Sequence, residues 1–200
     1  MSIAYVFIGQ SGAGKGTQAA LLKERLNTID PASTPFYVET GAQFRAFIQS
    51  SGATAAKTKE MIVEGKLPPS FLGVHMWAKE LIEHYDGTRA VMFDGTPRTP
   101  AEVPLLFSAA VFYGWDIHVI NIAVGDEWAY EKTKGRGRDD DKDEKDIWGR
   151  IQWFHESVQP AIELLRQNKH VTFHTISGEQ TIEAVHADIC HSLGIFNDNH

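Results

Sequence analysis

The sequence predicts a doubly wound α/β fold: a five-stranded parallel sheet flanked by helices on both faces. Three observations carry this. Five short apolar runs rich in β-branched and aromatic residues punctuate the chain, at residues 3–9, 36–39, 90–94, 117–124 and 171–176. Most are continuous rather than alternating, the pattern of strands buried on both faces. Segments of helical periodicity separate them, as parallel crossovers require.

The first run, 3–9, opens directly into a glycine-rich turn, described below. From Lys15 onward Ala19, Leu22 and Leu26 repeat at helical spacing, and Asn27 with Pro31 closes that helix. Residues 40–69 are helix-like but longer than a simple crossover needs, so they are read as a small helical insertion after the second strand. Residues 71–85 and 101–113 are read as helices before and after the third strand. Residues 147–168 form one long helical stretch with Ile151, Phe154 and Val158 on one face, which Pro160 must kink or split. Residues 139–146 carry six acids and two lysines, a solvated loop or helix start. Residues 196–200 are expected to fray.

Composition bounds the function. The 200 residues are 42% apolar and 22% charged, an ordinary globular balance. The net charge of −7 argues against a broad nucleic-acid or anionic-membrane surface and leaves scattered cations to converge on one small anion. No apolar run spans a bilayer, and the N-terminus lacks a basic stretch before its first apolar run, so no leader is expected. Cys190 is the single cysteine, which rules out an internal disulfide and a Cys-rich zinc site and fits a cytoplasmic protein. It is expected to be buried and inert. Among the histidines none falls in metal-ligand spacing, and His155, His174 and His186 are read as surface or helix-facing polar residues. Trp148, Trp153 and Phe154 are read as helix-packing aromatics.

The turn after the first strand reads Gly-x-x-x-x-Gly-Lys, from Gly9 through Gly14 to Lys15. Glycines let successive backbone N–H groups curl around one anion, and the following helix adds its N-terminal dipole. Gly12, Ala13, Gly14, Lys15, Gly16 and Thr17 therefore form a phosphate cradle, with Lys15 as its point charge. Phosphate loops usually place Ser or Thr straight after the lysine. Here Gly16 intervenes and Thr17 follows, and the GKGTQA form resembles the loop of adenylate kinases. That resemblance implies a P-loop NTPase fold with a small insertion that binds a nucleoside monophosphate (NMP) and a lid over the phosphates.

Further motifs extend the resemblance over roughly residues 3–190. TGAQFR, Thr40 to Arg45, is similar to the family's TGDxxR, which implies Thr40 beside the acceptor base and Arg45 on its phosphate. Ala42 replaces the family's acid. GKLPP at 65–69 resembles GKLV, implying acceptor contacts from Lys66, Leu67 and Pro68. DGTPRT at 94–99 is similar to DGFPRT, with Thr96 in place of phenylalanine. An apolar strand ending in Asp94 suits a carboxylate that holds Mg²⁺, often through water, although a helix N-cap is the bland alternative. Gly95 and Arg98 would complete the acceptor phosphate site. Four residues on, Glu102 stands where the family has a glutamine that reads adenine. A carboxylate only accepts hydrogen bonds, which suits the adjacent donors of guanine better, whereas Thr40 matches adenine. Glu102 could equally face solvent near a helix start.

Residues 124–141 resemble the family's lid, with Lys132 in place of an arginine, then Arg136 and Arg138; Arg150 corresponds to the last lid-side arginine. With Gly137 alone between Arg136 and Arg138, the lid is minimal and is expected to exclude water less completely, allowing some ATP hydrolysis. ISGEQTIEAV at 176–185 resembles the family's strand-to-helix turn, which implies backbone near Gln180 beside the donor base. The resemblance thus implies one domain over 1–200 with an NMP-binding insertion at 40–69 and a lid loop at 134–143. It implies Mg²⁺-dependent, reversible transfer of the ATP γ-phosphoryl to an NMP, AMP favoured, by a monomer without nucleic-acid or membrane partners. Lys15, Arg98, Arg136, Arg138 and Arg150 would carry the reaction. A GMP or pyrimidine kinase and a non-catalytic nucleotide-binding module stay open at this point.

Overall fold

A computed structural model describes residues 2–64, 66–136 and 143–195. The five expected strands are present: β1 (Ser2–Ile8), β2 (Phe36–Glu39), β3 (Val91–Asp94), β4 (Trp115–Ala123) and β5 (Val171–Ser177). They form one sheet in the order β2-β3-β1-β4-β5, and every adjacent pair is parallel. At the centre Val6 of β1 lies in register with Phe93 on one side and Val119 on the other.

The continuous apolar runs follow from burial on both faces. Ala4, Val6 and Ile8 of β1 enter one core, and Tyr5 and Phe7 enter the other. The first core is closed by α4 (Ser70–His84), α5 (Val103–Tyr113) and α8 (Gln159–Gln167) through Trp77, Leu106 and Leu165. The second is closed by α1 (Lys15–Ile29) and α9 (Ile182–Ser192) through Leu22 and Ile189. Leu22, Leu106, Leu165 and Ile189 are almost completely buried, and each contributes about 1.5–3 kcal/mol relative to an exposed position. No described helix is long and apolar enough to cross a membrane.

The predicted insertion is two helices, α2 (Thr40–Phe47) and α3 (Ala53–Val63), the first starting directly on the end of β2. Phe44 of α2 packs on Leu72 and Met76 of α4, which anchors the insertion to the body. α6 (Asp126–Lys134) and α7 (Glu144–Trp153) carry the lid region between them. The 147–168 stretch divides as Pro160 requires: α7 passes through a π-helical turn, Phe154–Val158, into α8, where Pro160 sits in the first turn and its missing N–H is least costly. Ile151 and Val158 are buried and Phe154 half-buried, as the periodicity predicts.

Two boundaries differ from expectation. β4 begins at Trp115, because Gly114 adopts a left-handed C-cap (φ 69°) that turns the chain from α5 straight into the strand. The acidic run resolves as a helix start from Asp143 onward, with Glu144 and Asp146 in the first turn of α7. Its earlier residues, like the 196–200 tail, lie outside the described residues.

Candidate active site

The parallel sheet directs the C-terminal ends of all five strands to one edge, where α/β folds bind ligands. There β1 runs into the loop 9–14 and α1. The loop rests on α6: a Cβ on Gly12 would lie 2.5 Å from Ala129 O and 2.8 Å from Thr133 Oγ1. No larger residue fits that seat. α1 has no side-chain cap and no acid in its first turn, so its N-terminal N–H groups and dipole are presented to an anion. Lys15 Nζ donates to Gln10 O at 2.7 Å, and the Ala13 N–H reaches the same carbonyl at 3.2 Å, folding the lysine back along the loop.

Asp94 ends β3 beside this loop. It is buried, and the Tyr37 hydroxyl of β2 donates to Oδ2 at 3.0 Å. Burial, then the adjacent Asp94 charge, push the Tyr37 phenol far above its ordinary range, so it stays a donor. A Cβ on Gly16 would lie 3.1 Å from Asp94 Oδ2. The glycine after Lys15 therefore lets the helix backbone approach the carboxylate. Asp94 is not a helix cap, since α5 starts only at Val103. With Thr17 exposed on the same turn, the donors are hard oxygens. No three His, Cys, Asp or Glu cluster as a metal cage among the described residues. This set fits Mg²⁺, which keeps most of its waters and takes the rest of its shell from phosphate.

Beyond Asp94, Arg45 and Arg98 converge on Gly41: a Cβ there would lie 3.3 Å from Arg45 Nη1 and 3.8 Å from Arg98 Nη2. Arg98 is fixed by its turn, with Nε donating to Gly95 O at 2.7 Å and its backbone N–H to Glu102 Oε2 at 3.0 Å. Burial lowers its pKa, the carboxylates of Glu102 and Asp94 oppose that shift, and the cations of Arg150 and Arg45 add to it. Arg45, in the last turn of α2, instead holds Glu39 at 2.7 Å.

Glu102 does not face solvent; it is 3% exposed, which corrects that alternative. Its carboxylate accepts from Thr96 Oγ1 (3.2 Å), Thr99 Oγ1 (3.2 Å) and the Arg98 N–H, and Gly73 of α4 leaves the space it fills. Thr99 Oγ1 is also 2.8 Å from Ser70 Oγ. Desolvation raises the Glu102 carboxyl pKa, and these donors partly offset it.

The remaining cations come from the lid side. Lys132 Nζ lies 4.6 Å from the Trp128 ring centroid, a cation–π contact along α6. Arg136 Nη2 approaches Ser11 Oγ at 3.4 Å. α6 and α7 are clasped together by Tyr130 stacked on Trp148 (5.2 Å) and by Lys134 paired with Glu144 (2.8 Å). Arg138 and Gly137, with most of the expected lid loop, lie outside the described residues.

One cleft of about 1230 Å³ brings these groups together. Its wall includes the loop residues Gly12 to Thr17, the acceptor-side Arg45, Lys66, Leu67, Pro68, Gly95 and Arg98, and the lid-side Lys132, Arg136, Arg150 and Gln180. Thr40 is buried with its hydroxyl making no hydrogen bond, and neither it nor Glu102 forms part of that wall. Trp128 and Trp153 line it unannounced by any motif. His174 stacks on His118 across β4 and β5, while Cys190 is half-buried beside His186 with its thiol pushed up by desolvation. His155 is a partner of Asp126, which periodicity alone did not reveal.

A family model described as an AAA domain matches residues 8–147. Curated relatives span nearly the whole chain. The adenylate kinase of Corynebacterium diphtheriae is 32% identical over 190 residues, covering 94% of this chain and 98% of its own. That of Trichodesmium erythraeum is 31% identical over 90% of this chain and 92% of its own, and that of Corynebacterium urealyticum 33% identical over 79% and 83%. On these likenesses the chain belongs to the adenylate kinase family, as a phosphotransferase of the nucleoside monophosphate kinase type.

Proposed function

We propose that the protein catalyses reversible transfer of the ATP γ-phosphoryl group to AMP, yielding two ADP. The observation that carries this is the single cleft with an anion cradle at each end. A pocket for one small ligand is about 300–1,000 Å³. This one, at about 1230 Å³, has Lys15 and the loop backbone at one end and the Arg45–Arg98 pair at the other. That arrangement supports two phosphorylated ligands held face to face.

The loop, Lys15, Lys132 and Arg136 hold the donor phosphates, and Gln180 lies toward the donor nucleoside. Arg45 and Arg98 orient the acceptor phosphate, with Lys66, Leu67 and Pro68 toward its nucleoside, while Thr40 stays buried behind that wall. An oxygen of the AMP phosphate forms the bond to the γ-phosphorus while the bond to the β–γ bridging oxygen breaks, so no protein nucleophile is needed. Arg98, Arg150 and, from the lid, Arg138 neutralise the charge spreading over the equatorial oxygens. Asp94, with Thr17, would hold Mg²⁺, which when bound neutralises the β- and γ-phosphate oxygens. The described geometry supports AMP over GMP, because both Glu102 oxygens are engaged inside the 96–102 turn. A cytoplasmic monomer is our reading of the working form.

The test is Mg²⁺ and ATP with AMP, GMP, CMP and UMP in parallel, following diphosphate formation. AMP is expected to be the preferred acceptor. Preference for GMP overturns the acceptor assignment, and no transfer to any acceptor leaves a nucleotide-binding module.

A further inference from the structure

Gln10 occupies an unusual place in the phosphate loop. It is buried, and its two ends face different partners. Its backbone carbonyl accepts from Lys15 Nζ and the Ala13 N–H, while its side-chain Nε2 donates to Asp126 Oδ1 at 2.8 Å. Asp126 is the first residue of α6. Its carboxylate also meets His155 Nε2, at 2.9 Å to Oδ1 and 3.1 Å to Oδ2. His155 Nδ1 in turn lies 2.9 Å from Gln159 Oε1. None of Gln10, Asp126 and His155 lines the cleft.

We propose that Asp126 and His155 are positioning residues for phosphoryl transfer, acting through Gln10 on Lys15 and through α6 on the lid cations. The pair lies where three cation-bearing elements meet. The phosphate loop with Lys15 rests on α6, α6 leads to Lys132 and Arg136, and the π-helical turn that presents His155 follows Arg150. Tying the turn to Asp126 fixes the distance between these elements before any nucleotide arrives. Preorganisation of this kind lowers the barrier, since the cations need not reorganise as charge develops.

The contacts favour the doubly protonated ring, because a carboxylate and an amide oxygen both accept. The groups around it give one opposing charge. Asp126 faces it from α6, Gln159 from α8, and the Phe154 ring packs at its edge. Glu156 is engaged by Gln152, and Glu179, near Asp126, accepts the Gly125 N–H. The Gln159 contact first, then Asp126, raises the His155 pKa. The sign follows: the charge-assisted pair is present below the raised pKa and is lost as pH rises through it.

The inference rests on the phosphoryl-transfer reading, and its test separates the two. The His155 ring is titrated by NMR in the wild type and in Asp126→Asn, and kinetics are measured from pH 5.5 to 9 in both and in His155→Leu and His155→Gln. The wild-type midpoint is expected above the ordinary value of about 6.5 and should fall in Asp126→Asn. We expect kcat to drop about three- to fivefold in Asp126→Asn and His155→Leu, the scale of one ion pair between side chains 42% and 45% exposed, with the KM for AMP within twofold. His155→Gln should recover part of kcat yet lack the alkaline decline expected of the wild type. The double variant should be no slower than either single one. An unmoved midpoint, an unchanged kcat and pH profile, or a KM for AMP rising in step with the loss of kcat overturns the assignment. If the wild type transfers to no acceptor, the functional reading fails, and an ATP affinity unchanged in Asp126→Asn then overturns the pair as well.

Discussion

Arg98 and Arg45 approach the same point over Gly41, yet they are built in opposite ways. Arg98 belongs to the body. Its turn leaves the central sheet at Asp94, Gly95 O takes its Nε–H, and buried Glu102 holds its backbone. Arg45 belongs to the insertion, with a side chain 43% exposed and its guanidinium on Glu39, itself 35% exposed. One cation is fixed before substrate arrives, whereas the other must exchange a carboxylate for a phosphate. In the proposed reaction the acceptor site thus combines a rigid jaw, which sets geometry, with an adjustable jaw, which admits and releases ligand.

The largest effect should come from breaking the rigid jaw. Arg98→Ala is expected to lower kcat/KM for AMP on the order of 10³-fold, with kcat and KM both affected, because preorganised charge toward the transferring group is lost. Arg98→Lys should recover only part of this, since a point charge cannot replace a planar fork. Arg45→Ala should cost less, about 10–100-fold, and mostly in KM, because that contact forms as the ligand binds. Steady-state kinetics with varied AMP decides it. A larger kcat loss in Arg45→Ala than in Arg98→Ala would reverse the assignment of the two jaws.

The rigid jaw was the more legible of the two, for a physical reason. Asp94, Gly95 and Arg98 follow one strand end within five residues, so local chain geometry fixes them together. The sheet was legible too, because burial on both faces demands unbroken apolar runs such as 4–8. Features set by distant packing were not. Nothing in residues 96–102 reveals that Gly73, on another helix, leaves room for the Glu102 carboxylate. Asp126 and His155 stand 29 residues apart, and their pairing depends on the π-helical turn, of which only Pro160 gave a sign. Gly114 shortened a connection to a single residue, and β4 consequently starts earlier than its apolar run suggests.

Glu102 tests whether the rigid jaw depends on hydrogen bonds or on charge. Glu102→Ala leaves a buried N–H and two hydroxyls short of a partner and should cost about 1–3 kcal/mol of stability, with a parallel loss in kcat/KM for AMP. Glu102→Gln should retain the turn, because its amide oxygen can accept from Thr96 and Arg98 while its NH₂ donates to Thr99 Oγ1. The two forms should diverge with pH. The folded-state pKa of Glu102 is raised, so the stability tied to its neutral form is full below the ordinary carboxylate pKa and is lost as pH rises through the raised one. Glutamine never ionises, and the melting temperature of Glu102→Gln relative to the wild type should climb over that interval. A difference independent of pH would mean that the carboxylate carries no desolvation cost in the fold.

The smallest effect should come from freeing the adjustable jaw. Glu39→Gln removes the charge that Arg45 holds at 2.7 Å. Both side chains are partly solvated, and exposed pairs of this kind contribute about 0–1 kcal/mol, so the KM for AMP should fall by no more than about fivefold with kcat unchanged. The direction matters more than the size. If Glu39 competes with the acceptor phosphate, its removal tightens binding and raises the affinity of AMP without altering the chemistry. If Glu39 instead aims Arg45 at the phosphate, the same substitution weakens binding, and the insertion would then be a second rigid jaw rather than an adjustable one.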